Sequence, residues 1–214
     1  MSRISFSLLC FLLFFQFGNS QIHDKTWHRI ALSKDVDFLK SAEARRIAEN
    51  VLLYQKNNGG WEKNVAMHKT LSPEEIQKLI ATKNNFTVTT IDNDATSQEM
   101  RFLASVYQFQ PEKKFSDAFL KGVDYLLKAQ YENGGWPQFY PIQNNYSSHI
   151  TFNDDAMANV LFLFQELLER RNDYPIKIPA ETLSKIESSF NKGIDAILKT
   201  QYRQNGKLTV WCTQ

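Results

Sequence analysis

Residues 52–61, Leu52-Leu53-Tyr54-Gln55-Lys56-Asn57-Asn58-Gly59-Gly60-Trp61, return as Leu127-Lys128-Ala129-Gln130-Tyr131-Glu132-Asn133-Gly134-Gly135-Trp136, with the two tryptophans 75 positions apart. Each copy reads as the end of an amphipathic helix. Asn and Gly supply the left-handed backbone that stops a helix, and the tryptophan that follows is large enough to pack under its last turn. A third copy, Lys192-Gly193-Ile194-Asp195-Ala196-Ile197-Leu198-Lys199-Thr200-Gln201-Tyr202, matches Lys121 to Tyr131 at a spacing of 71 and closes on Asn205-Gly206 without a tryptophan. A unit of ~70 residues that recurs in this way points to helical hairpins stacked around an axis rather than to separate domains.

Working outward from the repeat, further helices are predicted over Glu74 to Asn84, Thr96 to Gln108 and Asp155 to Arg171, with Ser41 and Ser72-Pro73 as starts. Period-two patterning is scarce outside the tail from Lys207 to Trp211, so the expected class is all-α. A second repeat overlaps the first: Thr90-Ile91-Asp92-Asn93-Asp94-Ala95 resembles Thr151-Phe152-Asn153-Asp154-Asp155-Ala156, each copy just before an apolar helix. Equivalent hairpins would bring both acidic segments to one mouth of a ring, with helix N-termini pointing at it.

The first 20 residues read differently. Arg3 precedes an apolar run from Ile4 to Phe17, and Gly18 and Ser20 stand where a secretory cleavage site needs small residues. The run is too short for the roughly 18 or more apolar residues of a membrane anchor, so a signal peptide cleaved near Ser20 is expected, with residues 21–214 forming the mature domain, secreted or periplasmic. Losing Arg3 and no acid takes the net charge from +2 to +1, and so small a charge does not point to nucleic acid. Cys212 is then the remaining cysteine, which excludes an internal disulfide and a cysteine-based zinc site. A composition of 43% hydrophobic and 22% charged residues is enough for one domain with a packed core. No membrane contact is expected after cleavage, and the chain is expected to act as a monomer.

Asp92, Asn93, Asp94, Asn153, Asp154 and Asp155 are helix-capping residue types at capping positions, each cap contributing about 1 kcal/mol. Two clusters of three exceed what one cap per helix requires, and an all-oxygen set suits a hard cation, so capping and calcium both remain open. Zinc is disfavoured, with His149 the imidazole near either cluster. Trp61, Trp136, Phe139 and Tyr140 suit packing beneath a helix end or stacking on a sugar. Asn85-Phe86-Thr87 and Asn145-Tyr146-Ser147 are glycosylation sequons in a host that uses them.

The segments Asn58-Gly59-Gly60-Trp61-Glu62-Lys63-Asn64, Thr90 to Thr96, Asn133-Gly134-Gly135-Trp136-Pro137-Gln138-Phe139-Tyr140-Pro141, His149 to Asp154 and Asn205 to Cys212 occur in the order of the landmarks of family 10 pectate lyases, which the chain resembles. The resemblance implies an (α/α) toroid of the (α/α)3 kind, incomplete at the C-terminus, that cleaves polygalacturonate (pectate) by β-elimination with calcium between enzyme and substrate. It maps catalytic aspartates onto Asp92 and Asp154, calcium ligands onto Asp92, Asn93 and Asp154, and substrate contacts onto Asn93, Trp136 and His149. Asp94 departs from the small residue of the family pattern, and Asp94 and Asp155 read as helix starts. The resemblance gives the role of base to an arginine expected after the Trp211-Cys212 segment, beyond Gln214. Arg45, Arg46, Arg101, Arg170, Arg171 and Arg203 read as helix-face charges. A non-catalytic pectate-binding protein and another secreted toroid enzyme, a glycosidase or an isoprenoid cyclase, are the competing expectations; the glycosidase would need a carboxylate pair with one raised pKa.

Overall fold

The computed structural model describes residues 27–170 and 174–211. The segment read as a signal peptide and Cys212 lie outside the described residues. A helical turn at residues 27–31 precedes α1 (Val36–Leu39), α2 (Ala42–Tyr54), α3 (Pro73–Ala81), α4 (Ser97–Phe109), α5 (Lys113–Ala129), α6 (Ala156–Glu169) and α7 (Ala180–Lys199). Two of the starts are those expected. The Ser41 hydroxyl accepts from the Ala44 amide, and Ser72 forms a reciprocal capping box with Glu75 ahead of Pro73. Helix α3 stops at Ala81, short of the predicted Asn84, because Lys83 is drawn elsewhere: its ammonium donates to the carbonyls of Leu52 (2.7 Å) and Gln55 (2.8 Å) and satisfies the open end of α2.

The helices form two curved layers. One contains α2, α5 and α7, each neighbour packed on the next; the other contains α4 and α6, with α4 against α2 and α5, and α6 against α7. Helix α5 buries a single stripe, Phe115, Ala118, Phe119, Gly122, Val123, Tyr125 and Leu126, as a period near 3.6 requires. Helix α4 buries Gln98, Glu99, Met100, Phe102, Leu103 and Val106 around most of its circumference, since helices surround it on several sides. This is an arc of an all-α toroid, as the repeat predicted. Among the described residues the strands form two pairs, β1 (Trp61–Glu62) with β2 (Thr89–Thr90) and β3 (Arg203–Gln204) with β4 (Lys207–Leu208), both antiparallel, besides single bridges from Thr90 to Phe139 and from Pro137 to Ile150. The tail expected to be extended to Trp211 forms strand over Lys207–Leu208, with main-chain hydrogen bonds continuing between Tyr202 and both Thr209 and Val210, and the Trp211 indole N–H donates back to the Ile197 carbonyl of α7 at 2.7 Å.

Each glycine-tryptophan turn is a joint between hairpins. The tryptophan N–H turns back on its own helix, from Trp61 to the Val51 carbonyl and from Trp136 to the Leu126 carbonyl, both at 2.8 Å. The glutamine before the turn reaches forward to the next helix of the layer: Gln55 Nε2 donates to the carbonyls of Gly59 and Ala118, and Gln130 Nε2 to those of Gly134 and Ser189. Gly59 and Gly134 have φ of +101° and +94°, and a Cβ there would lie 2.2 Å from the Lys121 carbonyl oxygen and 2.0 Å from that of Lys192. In the third copy, by contrast, nothing lies within 4 Å of a Cβ at Gly206, and Gln201 Nε2 is directed to the Thr209 carbonyl instead.

This contrast sets a prediction. Gly134→Ala combines a left-handed backbone with a clash against main chain and should cost roughly 2–4 kcal/mol in denaturant unfolding, whereas Gly206→Ala, strained but unobstructed, should cost no more than about 1–2 kcal/mol. Equal losses would show that the turns do not join the hairpins.

Candidate active-site cleft

The two acidic segments repeat in conformation as well as in sequence. Asn93 and Asp94 are both left-handed, with φ of 50° and 61°, and so are their counterparts Asp154 and Asp155, at 48° and 55°. Asn and Asp tolerate this region better than other residues with a Cβ, which explains why these types recur ahead of α4 and α6. Thr96, a β-branched residue, is also held at φ 70°, ψ −52°. Three hydrogen bonds fix it there. Its hydroxyl donates to the Thr90 carbonyl (2.8 Å) and accepts from the Trp61 amide (3.2 Å), and its own amide donates to Glu99 Oε2 (2.7 Å). Backbone strain of this kind persists where the surroundings over-determine it.

The paired entrances meet as expected. Asn93, Asp94 and Asp154 line one cleft of about 850 Å³, together with Asn64 and with His28, Arg29 and Gln98. The capping explanation fails for these carboxylates. Helix α6 has no side-chain cap at Asp155, α4 begins after Thr96, and the Asp94 carboxylate ties two elements across the cleft, accepting from Asn159 Nδ2 of α6 at 2.7 Å and pairing with His28 Nδ1 at 3.0 Å. Asp94 and Asp155 are therefore not capping side chains, despite their position ahead of the helices.

Asp92, one residue before Asn93, is buried, 1% exposed, and does not line the cleft. Its Oδ2 accepts from Gln138 Nε2 (2.6 Å) and pairs with the ammonium of Lys63, which also lies over the Phe139 ring. Oδ1 is buried with no hydrogen-bond partner. A bare carboxylate oxygen in such a place is costly unless a donor or cation reaches it.

Two expected substrate contacts are not at the cleft. Trp136 is fully buried, its ring packed edge-on against Phe164 and its N–H spent on Leu126, so no face remains for a sugar. His149 lines a second depression with Tyr131, Asn133, Phe152 and Thr200. It caps the 3-10 turn of residues 146–148, and the depression shares none of Asn93, Asp94 and Asp154.

The oxygen donors of the cleft suit calcium in chemistry, but among the described residues no three His, Cys, Asp or Glu side chains converge on a point. Asn93 and Asp154 are the cleft-lining groups that could hold such an ion, and the remainder of its shell would have to come from ligand and water, since the unpartnered Oδ1 of Asp92 is buried and Asp92 does not line the cleft.

The wall carrying His28 and Arg29 was not singled out in the sequence. It is pinned by Trp27, 2% exposed, whose indole N–H donates to Glu99 Oε1 at 2.8 Å and whose ring meets Phe102 edge-on at 5.4 Å. Glu99 thus fastens the cleft wall and the end of the acidic segment with its two oxygens. The available signal was Thr96-Ser97-Gln98-Glu99, a capping-box pattern. Its second role, as acceptor for a tryptophan 72 positions away, is tertiary.

Residues 55–214 match the family described as Pectic acid lyase. The chain belongs to that family. Among solved structures, it is similar to a family 10 polysaccharide lyase from Cellvibrio cellulosa, an aspartate-to-alanine mutant in complex with trigalacturonic acid, at 36% identity over 88% of this chain and 54% of the other, with a TM-score of 0.66. A second structure of a family 10 polysaccharide lyase from Cellvibrio cellulosa is 33% identical over 91% of this chain and 55% of the other, with a TM-score of 0.65. The chain therefore spans about half the length of these solved relatives. No curated protein matches it. The pectic acid lyase match begins at Gln55, so the wall of residues 27–32 lies outside the matched span.

Burial pushes the Glu99 carboxyl up to about 7, with the hydrogen bonds from Trp27 and from the Glu99 and Thr96 amides only partly opposing it. A raised folded-state pKa means that the folded protein holds a proton the unfolded chain releases, so this contribution to stability is full below the ordinary carboxylate pKa and is lost as pH rises through about 7. The melting temperature of the wild type should fall between pH of about 5 and about 8, and Glu99→Gln should flatten that dependence. An unchanged slope in the variant would show that Glu99 is already ionised in the folded protein.

Proposed function

We propose that the protein is a secreted pectate lyase, acting as a monomer, that binds polygalacturonate in this cleft and cleaves it by calcium-assisted β-elimination. The observation that carries the reading is the meeting of Asn93 and Asp154, from equivalent left-handed segments of successive hairpins, in one cleft. Membership of the pectic acid lyase family and the trigalacturonic acid bound to one solved relative support it.

In β-elimination a base takes the proton from C5 of a galacturonate, the C4–O bond to the leaving sugar breaks, and a 4,5-unsaturated uronide remains. The C5 proton is acidic only through the neighbouring carboxylate, whose negative charge opposes carbanion formation. Calcium, when bound, would offset that charge. Asn93 and Asp154 would hold it at the cleft surface. Next to Asn93 in the chain, Asp92 is held by Lys63 and Gln138, so its charge is compensated and adds little to a site that must accept an anionic sugar.

Two measurements on the purified chain test the reading: calorimetric binding of trigalacturonic acid in calcium and in chelator, and the ultraviolet absorbance of unsaturated uronide from polygalacturonate. Calcium-dependent binding is expected, weakened about tenfold or more by Asp154→Ala and Asn93→Ala, each of which removes a charged or polar contact. Calcium-dependent product would establish the lyase step within this chain, and binding without product would identify it as a pectate-binding unit. A folded chain that binds no oligogalacturonate in calcium would sink the proposal.

A further inference from the structure

The cleft wall contributed by residues 27–32 contains a cation without a partner among the described residues. His28 is engaged by Asp94, but Arg29, next to it and also lining the cleft, is exposed and pairs with no carboxylate among the described residues. Four other arginines are occupied by carboxylates: Arg45 by Glu112, Arg46 by Glu43, and Arg101 and Arg170 by Glu166. The helical turn that presents Arg29 is not a loose end. Trp27 anchors it through a buried hydrogen bond to Glu99, and the His28 to Asp94 pair adds a second tie one residue before Arg29.

Gln98 lines the same cleft, but it is 6% exposed and its Oε1 is buried, so the group of this wall that a ligand can reach is Arg29. An unpaired guanidinium in the cleft matches the charge of an acidic sugar, because the planar fork of an arginine can take both oxygens of a carboxylate.

We propose that Arg29 forms a uronate-binding subsite on the wall of residues 27–32, with its guanidinium taking a carboxylate of the bound oligogalacturonate. This rests on the reading of the cleft as an acidic-polysaccharide site, and it adds a binding residue from outside the span that defines the family match. The wall would fix the register of the sugar chain against the acidic segments. Its contact is with substrate charge and not with the reacting atoms.

The test is calorimetric binding of trigalacturonic acid, in calcium, to the purified wild-type chain, Arg29→Gln and Arg29→Lys, repeated with the methyl ester of the same trisaccharide. The expected result is a Kd raised about tenfold or more in Arg29→Gln, partial recovery in Arg29→Lys, and a much smaller penalty for Arg29→Gln with the ester, which lacks the carboxylate. An exposed side chain with no contacts to lose should leave the melting temperature of both variants at the wild-type value. A wild type that binds, with Arg29→Gln binding equally well or losing equally with acid and ester, overturns the subsite while leaving the cleft reading intact. A wild type that binds neither ligand overturns both.

Discussion

The structure depends on the joint between successive hairpins, in which a glycine-tryptophan turn is driven against the next helix of its layer. A helix needs something to stop it, something to satisfy its last carbonyls and something to bury its open end. Here one ten-residue motif does all three. The left-handed glycine halts the helix and lets main chain meet main chain, the tryptophan closes the end and returns its N–H to the helix it has left, and the glutamine bonds to the helix it has reached. Because a Cβ at Gly59 or Gly134 would overlap a carbonyl oxygen, the approach of one hairpin to the next is set by backbone contact and has little freedom. The glycines on the receiving helices complete the fit: a Cβ at Gly122 would lie 3.2 Å from the Trp61 ring and 2.7 Å from Met100, and one at Gly193 would lie 3.0 Å from the Trp136 ring and 2.7 Å from Leu161.

The cleft follows from this spacing. If the hairpins are related by a constant step, then whatever precedes the second helix of each hairpin is brought to the same mouth. Asn93 with Asp94 and Asp154 with Asp155 are such equivalents, and their shared left-handed backbone shows that the step preserves conformation as well as position. Like charges gathered in this way repel, and the structure offsets them separately. Lys63 takes Asp92, His28 and Asn159 take Asp94, and Asp154 remains exposed at the surface with only its neighbour Asn153 donating to it. Of the carboxylates that line the cleft, Asp154 is thus the one least compensated and best placed to meet a cation or a ligand.

Glu99 is the clearest case of a residue with two roles. Locally it belongs to a helix start, accepting from the Thr96 amide as a capping glutamate does. Globally it is the buried acceptor that holds Trp27, and with it the wall bearing His28 and Arg29. Removing it from water is expensive, which is why burial dominates its proton affinity, and a buried carboxyl with two N–H donors is kept where two parts of a site must remain in fixed relation.

By itself the sequence determined what depends on short-range chemistry. The all-α class, the hairpin repeat, the starts at Ser41 and Ser72 and the facing of the two acidic segments were all legible, because helix ends and repeat spacing are written in Gly, Asn, Ser, Pro and Trp at fixed offsets. Tertiary structure decided which polar groups reach open space. Trp136 could pack or stack, and only the approach of Phe164 and Gly193 buries it; Asp92 and Asn93 are adjacent, yet one is sunk against Lys63 and Gln138 while the other faces the cleft. His149 precedes an acidic segment by a few residues but is carried to another depression, and Arg29, distant in sequence from every acidic segment, arrives at the cleft through one indole hydrogen bond. Burial and long-range pairing depend on where other segments come to rest, and local sequence does not encode that position.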